Sequence, residues 1–103
     1  MAEKVIAGKT IEVTDEGYLV NMEDWSREIA AELAGEAGIE LTDKHLEVLE
    51  YLREKQNAGE TLTIRKVGKS GIVDIKGLYK LFPGGPLKIS SKLAGIPKPT
   101  SCV

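Results

Sequence analysis

The sequence predicts an α+β fold: a short N-terminal β-hairpin or meander packed on an array of about five helices, followed by a flexible, proline-containing C-terminal arm. Three observations carry this expectation. Apolar residues around a glycine turn fill the first twenty positions, cap residues followed by apolar stripes of helical spacing recur from residue 21 to 95, and prolines at 97 and 99 oppose any further helix.

The elements follow in order. "KVIA" and "TIEV" flank Gly8-Lys9, and "DEG" precedes "YLV", a pattern of two or three short strands joined by tight turns. Asn21 is the expected cap of a first helix whose opening turn carries Glu23 and Asp24, with Trp25, Ile29 and Leu33 at four-residue intervals forming one apolar stripe. Gly35 and Gly38 offer C-terminal stops, and Ile39 is placed to fold back on the last turn. Thr42 caps a second helix that passes through Leu46, Leu49 and Leu52 toward Gly59. Thr63 caps a brief helix "IRKVGK", Ser70-Gly71 breaks it, and Asp74 caps "IKGLYKLF", which Pro83-Gly84-Gly85 ends. Pro86 suits the first position of "PLKISSKLA", and Gly95-Ile96-Pro97 reads as a glycine cap, a hydrophobic contact and a stop. The expected core is Trp25, Ile29, Leu33, Leu46, Leu49, Leu52, Leu78, Leu81 and Ile89.

At 103 residues, 42% of them hydrophobic, the chain suits one domain over residues 1–103 with one modest core. Residues 1–20 form its hairpin region, 21–95 its helical region and 96–103 a mobile arm. No apolar run approaches the ~20 residues of a membrane helix, and "MAEKVIAGK" lacks the features of a signal peptide, so a cytoplasmic protein without a membrane partner is expected. The single cysteine, Cys102, cannot close an internal disulfide and falls short of the ligand count of the common zinc motifs. No metal and no bound cofactor are expected, and any redox chemistry requires a partner.

Charge is segregated along the chain. Residues 1–60 carry six basic and fifteen acidic side chains, whereas residues 61–103 carry eight basic ones and only Asp74 as an acid. Either the halves neutralise each other on folding, or the second half presents a basic face; Arg65, Lys66, Lys88, Lys92 and Lys98 are the candidates for it.

Three features are candidates for chemistry. The stretch from Thr63 to Phe82 has a helix–turn–helix outline with Arg65, Lys66, Lys69, Lys76 and Lys80 available for phosphates. Its second helix, "DIKGLYKLF", is short of the Asn, Gln and Arg that read base edges and carries Gly77 inside it, so structural packing is the preferred reading. His45 has no second histidine or nearby cysteine to complete a metal or nucleophile site, which points to a first-turn surface or capping role. The many carboxylates of residues 1–60 fall mostly on polar helix faces. The third feature is the tail "PKPTSCV", where Pro97 and Pro99 bias the backbone toward polyproline II and extend Cys102 by ~20 Å from Gly95, either as a projected thiol or as a frayed terminus.

The segment "LYKLFPGGPLKISSKLAGIPKPTSCV" resembles the C-terminal signature of the DsrC/TusE family, which includes the gamma subunit of dissimilatory sulfite reductase and sulfur-relay proteins. The "LFP-G-GP" turn, the "K-AG-PKPT-C" tail and the penultimate cysteine match; upstream, "DEGYL", "EDW", "LTDKH", "EVLEYLRE" and "TIRK" follow in the family's order, so the resemblance spans essentially the whole chain. It implies a carrier that holds sulfur on Cys102 as a persulfide or mixed disulfide while the arm visits sulfur donor and acceptor proteins. It also implies Arg65, matching the arginine of the family's "IR" motif, as the supporting cation, with Lys98, Pro97, Pro99 and Thr100 shaping the arm. One departure is plain. Members that work with sulfite reductase carry a second cysteine eleven positions before the penultimate one, and that position here is Ser91, so a two-cysteine redox cycle is closed to this chain. The single-cysteine pattern is similar to the TusE-type relay, and the chain looks shorter than many members between Arg65 and Asp74. The leading expectation is a sulfur carrier rather than a stand-alone enzyme. The alternatives are an accessory gamma-type subunit docking on a dissimilatory sulfite reductase without its own redox cycle, and a helix–turn–helix DNA-binding module.

Overall fold

The computed structural model describes residues 2–60 and 62–97 and has the expected α+β architecture. Its elements are β1 (Ala2–Ile6), β2 (Lys9–Val13), a 3-10 turn (Met22–Asp24), α1 (Arg27–Glu36), α2 (Asp43–Asn57), α3 (Ile64–Gly68), α4 (Ile75–Leu81) and α5 (Pro86–Leu93). The arm is described only as far as Pro97; Lys98, Pro99, Thr100 and Cys102 lie outside the described residues.

The N-terminal region is a two-stranded antiparallel hairpin with Ile6 opposite Lys9 and Ala2 opposite Val13. The expected third strand reduces to one isolated bridge between Val13 and Leu19. Strand alternation turns Ile6, Ile11 and Val13 into the core and leaves Val5 two-thirds exposed. A two-residue turn closes the hairpin with positive φ at both Ala7 (52°) and Gly8 (79°), the geometry that matches the twist of the strands. Ala7 bears the steric cost of that conformation, and its N–H donates to the carboxylate of Glu32 on α1.

The first helix differs from the expectation. Asn21 makes no side-chain cap hydrogen bond and precedes only the 3-10 turn, after which Trp25 returns to extended backbone (φ −75°, ψ 145°). The cap of α1 is Ser26, whose Oγ accepts from the N–H of Ile29 at 3.3 Å. Trp25 therefore precedes the helix, held there by tertiary partners that override its place in the stripe. The helix ends as expected: Gly38 (φ 73°) lets Ile39 N–H reach back to Ala34 O at 2.8 Å.

Thr42, Thr63 and Asp74 cap α2, α3 and α4 as the sequence predicts. Of the two roles expected for His45, surface or capping, the capping one forms, and the ring is buried. Its Nδ1 accepts from Thr42 N–H (3.2 Å), so Nε2 carries the proton and donates to Leu81 O (2.9 Å), and the ring meets Phe82 edge-on at 5.1 Å. One side chain thus caps α2 and satisfies a carbonyl at the end of α4. Gly68 lets α3 and α4 close, since a Cβ there would lie 2.5 Å from Ile75 Cγ1.

Helix α5 packs against α1, α2 and α4 and is the centre of the helical layer. Among the expected core residues, Ile29, Leu33, Leu49, Leu52 and Leu78 are buried, while Trp25, Leu46, Leu81 and Ile89 sit half-buried at its rim. Phe82, Leu87, Leu93 and Ile96 are fully buried and complete the core from the C-terminal half.

The strained turn supplies a stability test. Ala7→Asn keeps the backbone N–H that reaches Glu32 and tolerates positive φ, so it is expected to stabilise the fold by about 0.5 kcal/mol. Urea unfolding monitored by tryptophan fluorescence checks this; a lower midpoint would contradict the turn geometry.

Candidate functional site

The chain leaves the core at the C-terminus of α5. A helix end has carbonyls with no partner inside the helix, and here each acquires one. Ser90 O accepts from Ala94 N–H (2.8 Å), Ser91 O from Ile96 N–H (3.2 Å) and Lys92 O from Gly95 N–H (3.3 Å), with Gly95 at φ 68°. The last two carbonyls are satisfied from outside. Trp25 Nε1–H donates to Leu93 O at 2.7 Å, and Arg53 Nη1–H donates to Ala94 O at 2.9 Å. Ile96 is fully buried, and Pro97 is exposed.

Arg53 does more than complete this cap. Its Nη2–H donates to Met22 O at 2.9 Å, and its guanidinium carbon lies 4.5 Å from the Trp25 ring centroid. The guanidinium fork joins α2, the 3-10 turn and the end of α5, while its flat face stacks on the indole. Desolvation lowers its pKa from the ordinary arginine value. Trp25 in turn covers Gly95, where a Cβ would fall 2.6 Å from Trp25 Cδ1.

Of the expected site residues, Arg65, Ser91 and Pro97 lie within the described residues, on separate parts of the chain. Ser91, the position of the missing second cysteine, is fully buried on α5, and its Oγ has no hydrogen-bond partner among the described residues. Neighbouring Ser90, by contrast, donates to Leu87 O at 3.2 Å. Arg65 is exposed on α3, and its side chain makes no hydrogen bond or ion pair among the described residues. The structure brings together neither Arg65 and Ser91 nor Arg65 and Pro97 through any described hydrogen bond. The residues that do converge, Trp25 and Arg53, were not legible as site residues. The available signal was Arg53 itself, an arginine four positions beyond the buried Leu49 on the inward side of α2.

The candidate basic residues engage different neighbours. Lys66 reaches Glu60 at 4.0 Å, and the Lys92 side chain lies over Gly17, where a Cβ would be 2.8 Å from Lys92 Cε. Arg65, Lys69, Lys76, Lys80 and Lys88 are exposed and have no ion-pair partner among the described residues. The α3–α4 pair packs into the core through Val67, Leu78 and Phe82, and α4 offers no Asn, Gln or Arg to a base edge.

The orphaned hydroxyl of Ser91 supplies a second test. Removing a buried polar group that lacks a partner, in the middle of a helix, is expected to stabilise Ser91→Ala by about 1 kcal/mol. Ser90→Ala loses a hydrogen bond and is expected to stabilise less. Chemical denaturation of both variants checks the order.

The sequence matches the family model described as "DsrC like protein" over residues 5–103. The chain is 36% identical over 106 residues to the gamma subunit of dissimilatory-type sulfite reductase from Nitratidesulfovibrio vulgaris, covering 100% of each chain. It is 37% identical to the sulfurtransferase TusE of Photorhabdus laumondii over 107 residues, covering 96% of each. Its fold superposes on the crystal structure of the oxidized gamma subunit of dissimilatory sulfite reductase (DsrC) from Archaeoglobus fulgidus with a TM-score of 0.81 at 33% identity, over 99% of this chain and 100% of that one. Sequence and fold agree over almost the full length of both chains, and this protein belongs to the DsrC family.

Proposed function

We propose that the chain is a sulfur carrier that holds sulfane sulfur as a persulfide on Cys102 and passes it between partner proteins. The observation that carries this reading is the placement of the one thiol. Cys102 stands in the tail that carries the family resemblance, beyond a helix end held by the core, and Ser91 leaves no second thiol to compete for it.

The chemistry balances without an external oxidant. The Cys102 thiolate attacks the outer sulfur of a donor persulfide; a new S–S bond forms as the donor's breaks, and the donor leaves as a thiolate while the proton stays on the transferred sulfur. Delivery is the same displacement with an acceptor thiolate as nucleophile. Arg65 and Lys98 are the supporting cations, favouring the thiolate of Cys102 when the arm lies near them. The exposed guanidinium of Arg65, with no ion pair among the described residues, supports that role. Pro97, Pro99 and Thr100 belong to the part of the family motif that leads to the thiol.

The direct test offers a persulfidated donor protein to the wild type and to Cys102→Ser. Mass spectrometry is expected to find one added sulfur atom on the wild type and none on the variant; no uptake by the wild type would overturn the reading. Relatives named as gamma subunits support a second reading, in which the chain docks on a dissimilatory sulfite reductase without a redox cycle of its own. A stoichiometric complex that survives Cys102→Ser, with no sulfur uptake, would favour that reading.

Two further outcomes are expected. Alkylation of Cys102 followed across pH should show a higher apparent thiol pKa in Arg65→Ala and Lys98→Ala than in the wild type when the donor protein is present; unchanged curves would remove these cations from the reading. The five exposed cations between Arg65 and Lys88 that have no ion-pair partner among the described residues favour an acidic docking surface, so the association rate should fall several-fold from low to physiological ionic strength. Stopped-flow association measured against salt checks this.

A further inference from the structure

We propose that Trp25 and Arg53 are positioning residues for sulfur transfer: together they clamp the end of α5 and set the direction in which the chain leaves toward Cys102. The proposal rests on the carrier reading and adds to it the part of the fold that aims the thiol.

Four contacts converge on this exit. Trp25 Nε1 and Arg53 Nη1 take the two carbonyls, Leu93 O and Ala94 O, that the helix cannot satisfy itself. Arg53 Nη2 holds Met22 O, which fixes the turn that carries Trp25. The guanidinium stacks on the indole at 4.5 Å, and the indole closes over Gly95 so tightly that no side chain fits there. Ile96, fully buried, is the last pinned residue, and Pro97 is the first exposed one. Three separate segments, residues 22–25, α2 and α5, therefore meet at the point where the chain turns outward.

The consequence is positional. Backbone up to Ile96 is locked to the core, and five residues separate it from Cys102. Whatever path those residues take, chain length confines Cys102 to a volume within about 20 Å of Ile96, so the position and direction of the backbone at Ile96 bound where the thiol can meet a donor's sulfur when the body of the protein is docked. Loosening the clamp moves or widens that volume while leaving the thiol itself unchanged. A small reagent that needs no docking will not sense the difference, whereas a partner protein will.

Arg53→Lys keeps the charge but loses the fork, and Trp25→Phe keeps a ring for stacking but loses the N–H donor. Both are to be compared with the wild type well below their unfolding temperatures, measured by circular dichroism. The expected result is a loss of about tenfold or more in kcat/KM for sulfur uptake from a persulfidated donor protein, with the rate of Cys102 alkylation by iodoacetamide unchanged. The loss should be larger in Arg53→Lys/Trp25→Phe than in either single variant. A second readout does not depend on sulfur. With nitroxides on Cys102 and on an engineered Glu47→Cys in α2, the distance distribution should be broader or displaced in the clamp variants. Wild-type uptake rates in folded variants, or a loss matched by an equal loss in alkylation, would overturn the proposal, as would an unchanged distance distribution. Failure of the wild type to take up sulfur at all would instead overturn the carrier reading.

Discussion

The carbonyls of Leu93 and Ala94 impose the constraint around which the C-terminal half is built. A buried acceptor left without a donor costs roughly 1–3 kcal/mol, and among the described residues beyond them Gly95 and Ile96 donate to Lys92 O and Ser91 O instead. The indole of Trp25 and the guanidinium of Arg53 fill both vacancies. Arg53 can do so only if α2 lies alongside α5, and Trp25 only if residues 22–25 leave the helical path before α1 begins. The break at Trp25, the glycine at 95 and the burial of Ile96 all follow from satisfying those two atoms. A cationic donor makes the stronger kind of hydrogen bond, and its flat face lies on an aromatic ring, which lowers the cost of drawing it partly out of water.

That arrangement separates two requirements that conflict in a protein-to-protein carrier. The reactive atom must reach into another molecule, and the point from which it reaches must be held firmly. Here the hold is built from the core up to Ile96, and the thiol stands six residues further on. Ser91 shows the other side of the division. It lies fully buried in α5, its hydroxyl is unpaired among the described residues, and it cannot share sulfur–sulfur chemistry with Cys102. On the proposed carrier reading, exchange of sulfur occurs between chains, where the excess of exposed cations over α3 to α5 bears on encounter with the partner.

Local chemistry explains what was legible beforehand. A hydroxyl or carboxylate satisfying N–H groups within its own first turn needs no distant partner, so Thr42, Thr63 and Asp74 could be read as caps directly. The same holds for Gly38-Ile39 and Gly95-Ile96, where a positive φ folds the chain back on its own last turn. The tail with its lone thiol was legible for a different reason, because its motif is a run of adjacent residues. Asn21 misled because its position resembles a cap, yet Ser26 provides the cap that forms. His45 was legible in part: its first-turn position gave the capping role that forms, while its burial and its far nitrogen's bond to a carbonyl 36 positions away in sequence were not local features.

By itself, then, the sequence determined the class of fold, most helix boundaries and the family. Each of these depends on residues near one another in the chain or on a contiguous motif. The tertiary structure alone decided that Trp25 stands outside its helix, that Arg53 turns inward and that the two meet over Gly95. The two donors reach carbonyls 41 and 68 positions away in sequence, and no local pattern specifies which orphaned carbonyl a distant donor will reach. The donor's place is set by how α2 and α5 pack, and packing is a property of the assembled core.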